Sequence, residues 1–229
     1  VQALLADGNP DTALLFDING ISRHLPGFLD SLLGFLGEYG VPLASLVVLA
    51  LAWRWARERP GGGAPGAVAA VLWAGLAAGL GLVFNVAVRA LVERPRPFVT
   101  YPGRLHLLMD HSANGSFASD HATFTMAVAV GLLLVHRKWG LVAVVIAVFE
   151  GFLRVFMGVH YPSDILGGYA LASATALLLA PLAMALLVPF THALTRTAAA
   201  PLVTARAREP RRRSHAQARH EEPPRDLAA

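Results

Sequence analysis

Three short segments combine basic, hydroxyl and imidazole side chains at spacings that suit phosphate chemistry: Arg89-x6-Arg96-Pro97, Ser119-Asp120-His121 and Arg154-x5-His160-x3-Asp164. Guanidinium groups pair with phosphate oxygens through two parallel hydrogen bonds and stay charged at any physiological pH. Three arginines beside two histidines would repel one another unless an anion sat among them, so a tetrahedral phosphate is the natural guest. Ser119 stands where a helix should begin. Its hydroxyl can cap that helix, whose first free amides then face a bound anion; a plain N-cap accounts for it equally well. Pro162 suits a first helical turn, which places Asp164 one turn into the next helix. From there it can reach back to His160 and hold its tautomer, as the acid does in a hydrolase triad. So held, His160 can attack phosphorus and become a phosphohistidine. His121 is then the general acid that protonates the departing oxygen and later activates water, while the arginines stabilise charge on the equatorial oxygens.

Such residues need a scaffold, and the composition points to a membrane. Of the 229 residues, 55% are hydrophobic and 15% charged, against about a quarter charged in soluble domains. Apolar stretches near the roughly 20 residues needed to cross a hydrocarbon layer recur along the chain. The absence of cysteine excludes disulfides, thiolate metal sites and a cysteine nucleophile. The net charge of +4 says little about the folded part, because eight of the nineteen basic residues lie beyond Thr195.

The spacing predicts an all-α, polytopic transmembrane bundle of about five spans, with an N-terminal interfacial helix or sixth span. Residues 1–20 form an N-terminal segment without the pattern of a cleaved signal peptide. Residues 21–38 show helical periodicity interrupted by Arg23, Asp30 and Glu38, which fits an interfacial helix better than a span. Span one covers 39–56 and ends in Arg54, Arg57 and Arg59, before the break at Pro60-Gly-Gly-Gly. Span two covers 65–91, stopped by Pro95 and Pro97. A polar loop, 98–118, leads to span three (119–136), span four (139–158) and span five (163–190). The membrane domain thus runs over 21–192, and 193–229 read as a basic, disordered tail.

The turns after spans one and three and the tail are basic and share one side, which the positive-inside rule makes cytoplasmic. Alternating span direction brings the end of two, the start of three, the end of four and the start of five to the opposite, extracytoplasmic surface. The three segments meet there by connectivity. An arginine at a helix centre costs on the order of 2.5–3.5 kcal/mol, less near an interface; snorkelling explains Arg89 or Arg154 alone, but less well the convergence of three.

These segments resemble the signature of the type 2 phosphatidic acid phosphatase superfamily, Lys-x6-Arg-Pro, then Pro-Ser-Gly-His, then Ser-Arg-x5-His-x3-Asp. The resemblance covers about residues 80–170 and is specific in spacing and order. Arg89 replaces the lysine, Ala118 the proline, Asp120 the glycine and Leu153 the serine. It implies phosphate-binding roles for Arg89, Arg96, Ser119, Arg154 and Asp120, with His160 as nucleophile, His121 as acid and Asp164 as the nucleophile's partner. The runs Glu93-Arg-Pro-Arg-Pro-Phe98, Ser116-Phe-Ala-Ser-Asp-His-Ala122 and Gly158-Val-His-Tyr-Pro-Ser-Asp164 look most like the bacterial undecaprenyl-diphosphatase branch. That implies dephosphorylation of the polyprenyl carrier of cell-wall synthesis on the outer face of the cytoplasmic membrane, with no metal or other cofactor.

A broader phosphatase of phosphatidic acid or phosphatidylglycerophosphate would use the same residues. A transporter would place polar groups at the bilayer midplane, not at span ends. A zinc hydrolase on His121, His160 and Asp164 would set a divalent cation among arginines, and a serine hydrolase on Ser119 lacks the usual elbow. The expected partner is a membrane lipid phosphate and not nucleic acid. Among the remaining polar residues, Asn85 reads as an interhelical hydrogen bonder, Glu93 as a partner of Arg94 or an orienter of an active-site arginine, and His106, Asp110 and His111 as solvated or as part of a lid. Trp53, Trp55, Trp73 and Trp139 read as interfacial or packing residues.

Overall fold

The computed structural model describes residues 8–205, and these are helices and loops without a strand. Helix α1 (Pro10–Ser22) precedes α2 (Gly27–Phe35), a π-helical turn (Leu36–Gly40) and α3 (Val41–Arg57). Then come α4 (Ala64–Val92), the short α5 (Pro97–Thr100), α6 (Asp120–Val135), α7 (Arg137–Phe156), α8 (Pro162–Leu178), α9 (Ala180–Leu194) and the single turn α10 (Ala200–Val203).

Among the described residues three helical runs are long and apolar enough to cross a membrane, four if the bent pair α8 and α9 is one span, against the five expected, because α6 is a shorter apolar helix of sixteen residues. The helices otherwise fall close to where periodicity and proline place them, with three differences. First, residues 21–38 are not a separate interfacial helix, because α2, the π turn and α3 form one run, Gly27–Arg57, long and apolar enough to cross a membrane. The charges that interrupt its periodicity have protein partners: Asp30 lies 3.5 Å from His106 Nε2 and Glu38 pairs with Arg154 at 2.9 Å. Second, span five is two helices, α8 and α9, bent by 53°. Pro181 at the second position of α9 lacks the N–H that would continue the ladder and disfavours a helical residue before it. Third, the chain stays folded through Ala205. Val203 is buried in the core, Arg57 Nη1 donates to the Pro201 carbonyl at 2.6 Å, and Trp53 Nε1 donates to that of Leu202 at 3.0 Å. The arginine-rich remainder of the expected tail, 206–229, lies outside the described residues.

Helix α6 is the hub, packed on α4, α7 and α8. Its sixteen residues span about 24 Å at 1.5 Å each, and small residues let its neighbours come near. A Cβ on Gly131 would meet the Ala74 Cα at 2.5 Å, so the α4–α6 crossing needs glycine there. The layer around it is alanine- and valine-rich, including Ala52, Ala74, Ala78, Ala127, Val128 and Leu132, while many large apolar side chains face outward, as they would toward lipid. At one end, the Trp55 and His136 rings sit 4.5 Å apart, and Arg54, Arg57, His192 and Thr195 line a common cavity. The two basic turns and the start of the expected tail therefore share one face, and the polar segments lie at the other.

Candidate active site

Helix α4 delivers Arg89 at its last turn. Glu93 then adopts a left-handed conformation, φ 47°, which ends the helix and swings Arg94-Pro95-Arg96-Pro97 across the bundle. Arg96, 6% exposed, donates from Nε to Asn114 Oδ1 at 2.9 Å and from Nη1 to the Val159 carbonyl at 3.2 Å. The same Nη1 lies 3.3 Å from His160 Nε2. An arginine only donates, so Nε2 presents a lone pair on that side.

His160 is placed by the reversal after α7. Gly158 has φ 76°, which favours glycine, and even there a Cβ would meet the Asn19 side chain at 3.0 Å. Pro162 then opens α8. The Asp164 carboxylate caps that helix by accepting from the Tyr161 N–H at 2.9 Å through Oδ2. Oδ2 also accepts from Ser116 Oγ and lies 3.4 Å from His160 Nδ1, and Oδ1 accepts from Arg94 Nη1 at 2.8 Å. The expected His160–Asp164 pairing is thus present in placement, without the geometry of a formed hydrogen bond. Burial lowers the His160 pKa to about 3; Asp164 opposes the shift, and the fields of Arg154 and Arg96 add to it. The imidazole is therefore neutral at physiological pH, with Nε2 toward the arginine and Nδ1 toward the acid, as a nucleophile requires.

The unfolded imidazole titrates near 6.5 and the folded one near 3, so between these values only the unfolded chain binds the proton. Stability contributed by keeping His160 neutral is lost as pH falls below 6.5. The melting temperature of the detergent-solubilised protein should drop between pH about 7 and 4.5, and less steeply for His160→Gln, whose side chain does not titrate. Equal slopes for the two proteins would refute the assignment.

The remaining expected residues arrive from α6 and α7. Ser119 is fully buried and behaves as the plain cap: its Oγ accepts from the Ala122 N–H at 3.4 Å and its own N–H donates to the Asp164 carbonyl at 3.2 Å. Asp120 departs from the phosphate-binding role expected of it. A carboxylate only accepts, and Asp120 meets Arg89 Nη2 at 2.5 Å and Asn85 Nδ2 at 2.7 Å. It therefore orients Arg89 and does not itself hold an anion. Asn85 also bonds the Ala118 backbone on both sides, 2.8 Å to the carbonyl and 3.3 Å from the N–H. It is an interhelical anchor, as its place in the span suggests. His121 Nε2 donates to the Glu38 carbonyl at 3.2 Å. Arg154, 1% exposed, donates from Nη1 to Glu38 Oε2 at 2.9 Å, and its Nη2 lies 2.9 Å from His111 Nε2. Burial, then the charge of Arg154, holds the His111 pKa below the usual imidazole value.

Sequence reasoning missed the residues that hold these groups in place. Arg94 joins Asp164 to Asp11 of α1 at 2.7 Å and lies over the Tyr161 ring at 3.8 Å. Asp11 also accepts from the Ser163 N–H at 2.8 Å, so α1 clamps the start of α8. The loop between α5 and α6 contributes His111 against Arg154, Asn114 against Arg96 and Ser116 against Asp164, while His106 ties it to Asn19 and Ser22 of α1. The signal available was the density of polar residues in a loop flanking the motifs.

Residues 70–186 match the PAP2 superfamily. The undecaprenyl-diphosphatase BcrC of Bacillus subtilis is 35% identical over 155 residues, 68% of this chain and 75% of that protein. An undecaprenyl-diphosphatase of Sulfolobus acidocaldarius is 32% identical over 146 residues, 63% of this chain and 66% of that protein. In fold, the chain is similar to the crystal structure of a transmembrane PAP2-type phosphatidylglycerolphosphate phosphatase from Bacillus subtilis, with a TM-score of 0.52 over 78% of this chain and 88% of that one, at 21% identity.

Proposed function

As the chain belongs to the PAP2 superfamily and is a multi-pass membrane lipid phosphatase, we propose that it hydrolyses undecaprenyl diphosphate to undecaprenyl phosphate and inorganic phosphate. The observation that carries the mechanism is the pair of contacts on His160: Nε2 faces Arg96 at 3.3 Å and Nδ1 faces Asp164 at 3.4 Å. The Nε2 lone pair attacks the terminal phosphorus, the bridging P–O bond breaks, and His121 protonates the departing prenyl phosphate. Water, deprotonated by His121, then cleaves the N–P bond and regenerates His160. Arg89, Arg96 and Arg154 compensate the charge on the transferring oxygens, with Asp120 and Asn85 orienting Arg89. The diphosphate preference is supported by the relatives' activity, that of BcrC above all.

The site lies at the end of the bundle opposite the basic turns. By the positive-inside rule it faces the extracytoplasmic side, where the spent carrier of cell-wall synthesis is recycled. The purified protein, assayed side by side on undecaprenyl diphosphate, phosphatidic acid and phosphatidylglycerophosphate, should show a kcat/KM at least about tenfold higher for the diphosphate, a preference of roughly 1.4 kcal/mol. Equal or higher values on either phospholipid would replace the polyprenyl reading by the broader one.

A further inference from the structure

Arg154 is one of the three arginines assigned to the phosphate, and its guanidinium already has an acidic partner. Glu38 Oε2 accepts from Nη1 at 2.9 Å and lies 3.0 Å from His111 Nε2, while the Glu38 carbonyl accepts from His121 at 3.2 Å. One residue thus touches a phosphate-binding arginine and the general acid. It sits in the π-helical turn Leu36–Gly40, a local widening that recurs at functional positions. Glu38, Asp120 and His121 also line, with Pro42, Leu82 and Phe124, a cavity of about 260 Å³ at the junction of α3, α4 and α6. The surface this cavity exposes is almost wholly apolar, although two carboxylate residues stand among those that line it. Each carboxylate is paired with a different arginine, Asp120 with Arg89 and Glu38 with Arg154.

A cluster of arginines at a membrane face has a selectivity problem. Ordinary anionic phospholipids outnumber any carrier lipid, and their phosphodiester groups offer oxygens of the same geometry. Discrimination then requires something that raises the cost of the wrong ligand. A tethered carboxylate does so. A phosphodiester carries one negative charge, as the carboxylate does, and gains nothing by replacing a partner already held in place at high effective concentration. A terminal phosphate carries close to two charges at neutral pH and offers three oxygens to several guanidiniums at once.

We propose that Glu38 is a specificity-determining residue, an internal competitor for Arg154 that a terminal phosphate displaces and a phosphodiester headgroup does not. The inference rests on the reading of Arg154 as a phosphate ligand. Once Arg154 has turned to the phosphate, His111 Nε2, 3.0 Å from the carboxylate, is free to carry the ring proton and donate to it.

The test uses the full chain in phosphatidylcholine vesicles with rising fractions of phosphatidylglycerol, a long-chain prenyl diphosphate as substrate and inorganic phosphate as competitor. For the unaltered protein the apparent KM should be nearly independent of phosphatidylglycerol. In Glu38→Gln the phosphate Ki should fall about tenfold, and phosphatidylglycerol should become a competitive inhibitor. Glu38→Asp, with its carboxylate drawn back by one methylene, should fall between, and it carries the test if the glutamine variant does not fold. A merely structural role would lower kcat and leave both inhibition patterns unchanged, and that result would overturn the proposal, as would a raised phosphate Ki. Failure of the underlying reading is separate: Arg154→Ala would then keep the unaltered protein's phosphate Ki.

Discussion

His160→Ala is expected to reduce turnover by about four to six orders of magnitude and to abolish any trapped phosphoenzyme. Removing the nucleophile converts a two-step displacement into direct attack by water, for which the arginines still supply charge stabilisation. That residual explains why the expected loss is finite. The imidazole is 2% exposed and wedged between Arg96 and Asp164, so no neighbouring side chain can take its place. Rapid acid-free quenching after mixing with terminally labelled lipid diphosphate reads the intermediate directly, since a phosphohistidine is labile in acid. His121→Ala offers the contrast. Without the acid that activates water, the phosphoenzyme should form slowly but persist. A His160→Ala protein that still incorporates label, or turns over at more than about one per cent of the normal rate, would require another nucleophile.

Much of this site is legible in the sequence because its groups lie near span ends, and connectivity alone brings alternate ends together. Arg89, Arg96, His121, Arg154, His160 and Asp164 are all found at that face. What could not be read are the pairings between groups far apart along the chain. Glu38 and Arg154 are 116 residues apart, and Arg94 and Asp164 are 70 apart. No local period or turn rule encodes either contact. The same distance along the chain explains why residues 21–38 look interfacial. Asp30 and Glu38 look like solvent-facing charges that break a membrane helix, yet inside the fold each faces a basic or imidazole side chain from a distant segment. The charge of Glu93 suggests an ion-pair partner, whereas its contribution is a backbone one, the left-handed turn that ends α4. The bend between α8 and α9 was readable from Pro181, but the surrounding apolar run is long enough to pass for a single span.

Asp164 is where fold and chemistry are hardest to separate, and its substitution should show both. The carboxylate is fully buried and accepts from Arg94 Nη1 at 2.8 Å, the Tyr161 N–H at 2.9 Å and Ser116 Oγ, with His160 Nδ1 3.4 Å away. An asparagine keeps the shape but offers one acceptor oxygen, and its NH2 must then face another donor. Asp164→Asn should therefore destabilise the protein by about 3–5 kcal/mol, as expected when one side of a buried pair is removed. It should also slow phosphoenzyme formation by about 10³–10⁴, because the imidazole loses the partner that selects its tautomer and balances its developing charge. The two effects come apart in Arg94→Met. That variant loses the tie to Asp164 and Asp11 but leaves the acid facing His160, so its melting temperature should fall while its phosphorylation rate, measured below the melt, stays within about tenfold of normal. Stopped-flow phosphorylation and thermal melts on the same preparations decide the matter. An asparagine variant that phosphorylates at the normal rate would leave Asp164 with only its structural part, as the cap of α8 and the counter-ion of Arg94.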